Sequence, residues 1–191
     1  MRRNLILASA LACAQAVMAA PPATRTVVAA VDPALGVRIL SEQRLVYRQG
    51  ADARSDRPAH VRAASGLAWC GDRLAIAQDD AGFVGLWEPG TRRVEFVALP
   101  AGRGGRRQFD GLRGNKGEKL DLESVAAVRG AGGYALVLFG SGSTPVRDVV
   151  VRVDGAGARV HRAGRLFDAL RANRELAGSE LNIEGAVVLD R

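Results

Sequence analysis

Leu120-Asp121-Leu122-Glu123-Ser124-Val125-Ala126 returns, in altered form, as Leu181-Asn182-Ile183-Glu184-Gly185-Ala186-Val187. A weaker copy precedes both at Ala64-Ser65-Gly66-Leu67-Ala68-Trp69, where small residues again lead into an apolar run. Aligning Gly66, Ser124 and Gly185 spaces the copies 58 and 61 residues apart (66 to 124, 124 to 185). Recurrence at such a period, in a chain that otherwise reads as short strands, is the mark of a radially repeated sheet.

The segments between the copies share one plan. After the first come Arg73–Gln78, Phe83–Trp87 and Val94–Leu99, divided by Cys-Gly-Asp, Asp-Asp-Ala-Gly and Glu-Pro-Gly-Thr. After the second, Ser124–Val128 is followed by Tyr134–Phe139, Asp148–Val153 and Arg159–His161. Short runs of strand formers separated by turn residues predict four-stranded antiparallel meanders. Inner strands read as apolar throughout, while Val149-Val-Val-Arg-Val153 alternates, as a strand with one covered face should. The expected fold is all-β, a β-propeller. Leu166–Leu176 is the one helical stretch, in a loop between blades.

The N-terminus carries a different message. Met1-Arg2-Arg3-Asn4, the apolar run Leu5–Ala12 and Ala19-Ala20 before Pro21-Pro22 have the regions of a secretory signal peptide. The apolar run is too short to remain as a membrane span. Residues 1–20 are therefore expected to be targeting sequence, with cleavage after Ala19 or Ala20 and a periplasmic or extracellular destination. A lipid anchor on Cys13 is the lesser reading, since Ala10 stands where a large aliphatic residue is wanted. Residues 21–63 form a lead-in with strands at Thr26–Val31 and Val37–Tyr47 and a charged, proline-containing loop at Ala51–His60. Blades fill 64–191. About 170 residues at about 60 per blade make about three blades, fewer than the four or more of closed rings. The sequence thus reads as part of a larger ring, truncated at its C-terminus, with ring closure by self-association as the alternative.

Loss of Arg2 and Arg3 lowers the formal charge from +7 to +5. Lys116 and Lys119 are the only lysines, and no basic stripe with interleaved aromatics points to nucleic acid. Cys70 is left as a single cysteine, which forbids an internal disulfide.

The run Lys119–Ser124, then Leu138-Phe-Gly-Ser-Gly-Ser-Thr-Pro145 with Arg147, then Leu181–Gly185 resembles a family of exported bacterial propeller proteins carried as a domain of unknown function. More distantly it is similar to phytase-like and esterase-like propellers, whose strand starts also carry Glu-Gly or Glu-Ser pairs. The resemblance covers Ser65–Arg191. It implies an acid-lined axial channel, often with calcium, and ester or phosphoester hydrolysis.

Three groups of residues could carry chemistry. Glu123 and Glu184 share one phase just before inner strands, so they should converge, with Asp121, near one mouth of a channel. Oxygen ligands from several loops suit calcium, and clustered carboxylates also raise one another's pKa. The competing reading is that each glutamate locks blades together through backbone amides. Second, Gly140-Ser141-Gly142-Ser143-Thr144-Pro145 and Arg147 could hold a small anionic ligand, Ser141, Ser143 and Arg147 supplying donors; otherwise this is a turn whose arginine pairs with Glu123 or Glu184. Third, Ala101–Lys119 holds Arg103, Arg106, Arg107, Arg113, Lys116 and Lys119, a basic lid or a solvated insertion. No Gly-x-Ser-x-Gly elbow is present, and His60 and His161 lack metal-ligand spacing. The function read from sequence is an exported propeller with a small-ligand or calcium site at the channel mouth. A metal-dependent hydrolase and a structural or protein-binding propeller are the alternatives.

Overall fold

The computed structural model describes residues 27–130 and 132–189, which divide into two units, one ending at Leu40 and one running from Ser41. The expected leader lies outside the described residues. In the first unit residues 27–40 are exposed and form no helix or strand; Asp32 makes a turn, its carbonyl accepting from the Leu35 amide and its Oδ1 from the Ala34 amide. The strand expected up to Val31 does not form over 27–31, and the one expected over Val37–Tyr47 reduces to Val46–Tyr47. Val28, Val31, Val37, Ile39 and Leu40 stay largely exposed, so apolar alternation here has no facing strand to cover it.

The second unit is mostly β. Its strands are β1 (Val46–Tyr47), β2 (Ala64–Cys70), β3 (Arg73–Gln78), β4 (Phe83–Trp87), β5 (Arg93–Ala98), β6 (Leu122–Gly130), β7 (Gly133–Gly140), β8 (Val149–Asp154) and β9 (Gly157–Arg162). They make two sheets, ordered β1-β5-β4-β3-β2 and β6-β7-β8-β9. Each contains a four-stranded antiparallel meander, and β1 adds to the first in parallel with β5. The expected boundaries of β3 and β4 are met residue for residue. In β8 Val149, Val151 and Val153 are buried while Arg152 is exposed, which follows from successive side chains pointing to opposite faces.

The two sheets repeat one another in detail. In both, the strand that starts the meander skips one residue of its partner ladder, at Ser65 in β2 and at Glu123 in β6. In both, the residue two positions earlier takes a left-handed backbone without being glycine, Ala63 (φ 34°) and Asp121 (φ 56°). Each of those residues accepts, through its carbonyl, the amide just past the second strand: Asp79 to Ala63 at 3.0 Å and Ser141 to Asp121 at 2.9 Å. Bulges re-aim side chains, and here both do so at the same phase.

The starting strands β2 and β6 also pack against each other. At their crossing a side chain on Gly66 would stand 3.0 Å from the Ser124 Cα, and the Ser65 hydroxyl donates to the Leu122 carbonyl at 2.5 Å. Between the sheets lies the main core: Ala75, Ala77, Val84 and Leu99 against Leu122, Val125, Leu136, Leu138, Val149, Val151 and Val153. On the other face of the first sheet Tyr47, Phe83 and Phe96 meet edge-on or tilted, with centroids 5.6 to 6.2 Å apart. Buried Gln78, at the end of β3, donates to the Tyr47 hydroxyl and the Phe83 carbonyl, both at 2.8 Å.

A third meander is absent from the described residues. Residues 181–187 carry no strand; Leu181 is buried and the Ile183 amide donates to the Ser141 carbonyl at 2.9 Å. The expected helix breaks at Asn173 into α1 (Gly164–Ala172), which buries Phe167, and α2 (Arg174–Ala177). No helix among the described residues is long and apolar enough to cross a membrane.

Candidate functional site

The equivalent ends of the two sheets meet at a cluster of charge. Asp79 follows β3, Asp121 precedes β6 and Glu123 occupies the β6 bulge. Each offers a carboxylate oxygen, and these oxygens lie within 4.8 Å of one another, a set that could hold a metal ion. The same place already contains two cations. The Lys119 ammonium pairs with both Asp79 and Asp121, and Arg147 Nη1 pairs with Asp121 Oδ2 at 2.8 Å. Lys119 and Asp121 are buried, so each depends on the other for its charge.

Asp121 is the hub. The Ser141 hydroxyl donates to its Oδ2 at 2.6 Å. Since that proton is committed, the 2.9 Å contact between the Ser141 and Ser143 hydroxyls has Ser143 as donor. Arg147 Nη1 in turn donates to Ser143 Oγ at 2.6 Å. A chain therefore runs from Arg147 through both serines to Asp121, closed by the direct Arg147–Asp121 pair. The loop carrying it is fixed from behind by Arg171 of α1, which donates to the Gly142 carbonyl at 2.7 Å and pairs with buried Asp148.

These contacts divide the three carboxyls. Burial pushes Asp121 up, but hydrogen bonds from Asp79, Lys119 and Ser141 outweigh it and hold it down at about 2. Asp79 moves the other way, raised by burial and by its hydrogen bond to Asp121 against the pull of Lys119. Glu123 is pushed up to about 7, first by burial and then by Asp79, Asp121 and Glu184. No hydrogen bond reaches its carboxyl from the described residues, so a half-buried, proton-exchanging group stands free beside a saturated ion network.

Asp79 and Asp121 also line a cavity of about 250 Å³ between the sheets, walled by Leu99, Phe109, Leu120 and Val160. Concave, mostly apolar space with a few convergent polar groups is the usual form of a small-molecule site.

The chain from residue 60 to 191 matches a family of unknown function, DUF6929. It belongs to that family. No curated protein and no solved structure matches it.

The DUF6929 chain brings together some of the residues expected from sequence and separates others. Asp121 and Glu123 are in the cluster. Glu184 is exposed and accepts from Asn182; it is near enough to raise Glu123 but outside the converging set. Ser141, Ser143 and Arg147 do come together, yet they serve Asp121, and Ser141 is fully buried. Asp79 escaped the sequence reading, and Lys119, read as part of a basic lid or solvated insertion, turns inward to the aspartates instead. Asp79 sits at the position that Ser141 holds in the second sheet, so aligning the second strands as well as the first would have exposed it.

The basic insertion is pinned to the lead-in loop: Asp56 accepts from the Arg107 and Gln108 amides and pairs with Arg113, while Arg62 binds Asp80 and Gln108. Burial raises the Cys70 thiol, which is the reverse of nucleophile activation. His60 and His161 are exposed, His60 on an isolated bridge to Val46 and His161 in β9.

Proposed function

We propose that this DUF6929 chain forms blades of an exported β-propeller that binds a small molecule at the mouth where the inner strands converge. The ligand presents an amine or hydroxyl donor to Glu123 and Asp79. The matching bulges, left-handed residues and backbone bonds of the two meanders support successive blades, and the leader-like residues 1–20 support export.

The observation that carries the reading is the convergence of three carboxyls from two sheets, two of them, Asp79 and Asp121, lining one cavity, and the third, Glu123, without a hydrogen bond from the described residues. Asp121 is spent on structure. Glu123 is not, and a cationic donor would find it ionised above pH 7 and neutral below. Affinity for an amine therefore rises as pH increases through about 7. Hydrolysis is less well supported, because the serines of the site are buried or bonded within the chain from Arg147 to Asp121.

A panel of primary amines and polyols, followed by carboxyl and amide shifts in NMR spectra, tests the reading. Saturable shifts at Asp79 and Glu123 that vanish in Glu123→Gln are expected. Absence of any saturable shift there contradicts the proposal.

Calcium is the second reading, favoured by the 4.8 Å spacing of the carboxylate oxygens. As folded, the Lys119 ammonium fills the cation position, so the set does not fit a resident ion without displacing it. Calcium is expected to leave the melting temperature of the native chain unchanged and to raise it in Lys119→Met, where the carboxylates lose their ammonium. A calcium-dependent rise in the native protein would favour the metal reading instead.

A further inference from the structure

The cations free to meet an anion are not those of the glycine-serine loop. Arg147, Lys119, Arg62 and Arg171 are each paired with a carboxylate. Arg103 and Arg106 are exposed and make no ion pair among the described residues. Both line one hollow of about 350 Å³ with Arg113, Gly114, Asn115 and Glu118. We propose that this hollow binds a compact soluble polyanion of the phosphate type, with two or more charged groups, at a site separate from the carboxyl cluster.

The hollow is held open by contacts that do not use the two free guanidiniums. On one side the Gly102 amide donates to the Arg106 carbonyl at 2.8 Å, closing the turn that presents Arg103 and Arg106. Opposite, the Asn115 amide group donates to the Gln108 carbonyl at 2.9 Å and its oxygen accepts the Asp110 amide at 3.1 Å. Arg113 is oriented by Asp56 at 2.9 Å and Asp110 at 3.4 Å. Its charge is thus largely neutralised, leaving Arg103 and Arg106 as the binding pair. Guanidinium forks match phosphate oxygens bidentately, and two on one turn favour a ligand carrying two such groups. Glu118 on the rim opposes the anion, which sets a direct control.

Titration calorimetry of the full chain with inorganic pyrophosphate and tripolyphosphate tests this. Saturable binding is expected, at least tenfold weaker in Arg103→Gln/Arg106→Gln and stronger in Glu118→Gln, with Arg147→Gln unaffected. Binding that is absent, or unchanged in the double variant, overturns the site; so does loss only in Arg147→Gln, which would return the anion to the glycine-serine loop. Sedimentation with phosphatidylglycerol vesicles separates the sources of phosphate. Arginine-dependent capture by vesicles without any pyrophosphate binding contradicts a soluble ligand.

Discussion

Asp121 shows how one residue can hold a site together and be unable to serve it. Its backbone is left-handed at φ 56°, a conformation costing an ordinary residue about 1 kcal/mol or more. Lys119, Arg147 and Ser141 all bind its carboxylate, and they offset that strain. Asp121→Asn leaves buried Lys119 and half-buried Arg147 short of a partner and should cost about 3 kcal/mol, read from urea denaturation. Because its pKa is depressed to about 2, this stabilisation is present above the ordinary value of 3.8 and is lost as pH falls toward 2. Glu123 has the opposite sign. Its folded pKa of about 7 lies above the ordinary 4.5, so its contribution is full below 4.5 and disappears as pH rises through 7. Glu123→Gln should therefore be more stable than the native chain at pH 8, by roughly 1 kcal/mol after allowing for solvent screening, and no more stable at pH 4. Thermal melts at the two pH values check it.

At the scale of elements the decisive contact is β2 on β6. Gly66 leaves room for no side chain, since a Cβ there would meet the backbone of Ser124 at 3.0 Å and of Val125 at 3.1 Å. Backbone cannot swing aside as a flexible side chain does. Gly66→Ala should cost about 2 kcal/mol by overpacking, with the loss measured by chemical denaturation. The strands themselves were legible because alternation and turn residues are local: β3 and β4 follow from Arg73–Gln78 and Phe83–Trp87 alone. Val28 and Ile39 were misleading for the same reason, as apolar residues predict a strand only when another strand comes to face them. The third copy misled similarly. Leu181–Val187 has the residues of an inner strand, but among the described residues the Ile183 amide bonds the Ser141 carbonyl and no ladder forms.

Across the whole unit from Ser41, the site is a product of register between sheets. Asp121 and Glu123 could be read from a repeated heptad, and the position of Asp79 from aligning the second strands, whereas the pairing of Lys119 with both aspartates could not, because it depends on which residues the packing of two sheets brings together. The same packing explains why the expected anion site is closed: the arginine and serines offered by the loop are drawn inward to Asp121. One carboxyl cluster is assembled from both sheets, with Glu123 as its free member among the described residues. The decisive measurement titrates the Glu123 side-chain carboxyl by carbon-detected NMR, in the native chain and in Asp79→Asn. A midpoint near 7 is expected in the native chain, falling when the Asp79 charge on the neighbouring sheet is removed. A midpoint near 4.5 in both proteins would contradict this assembly.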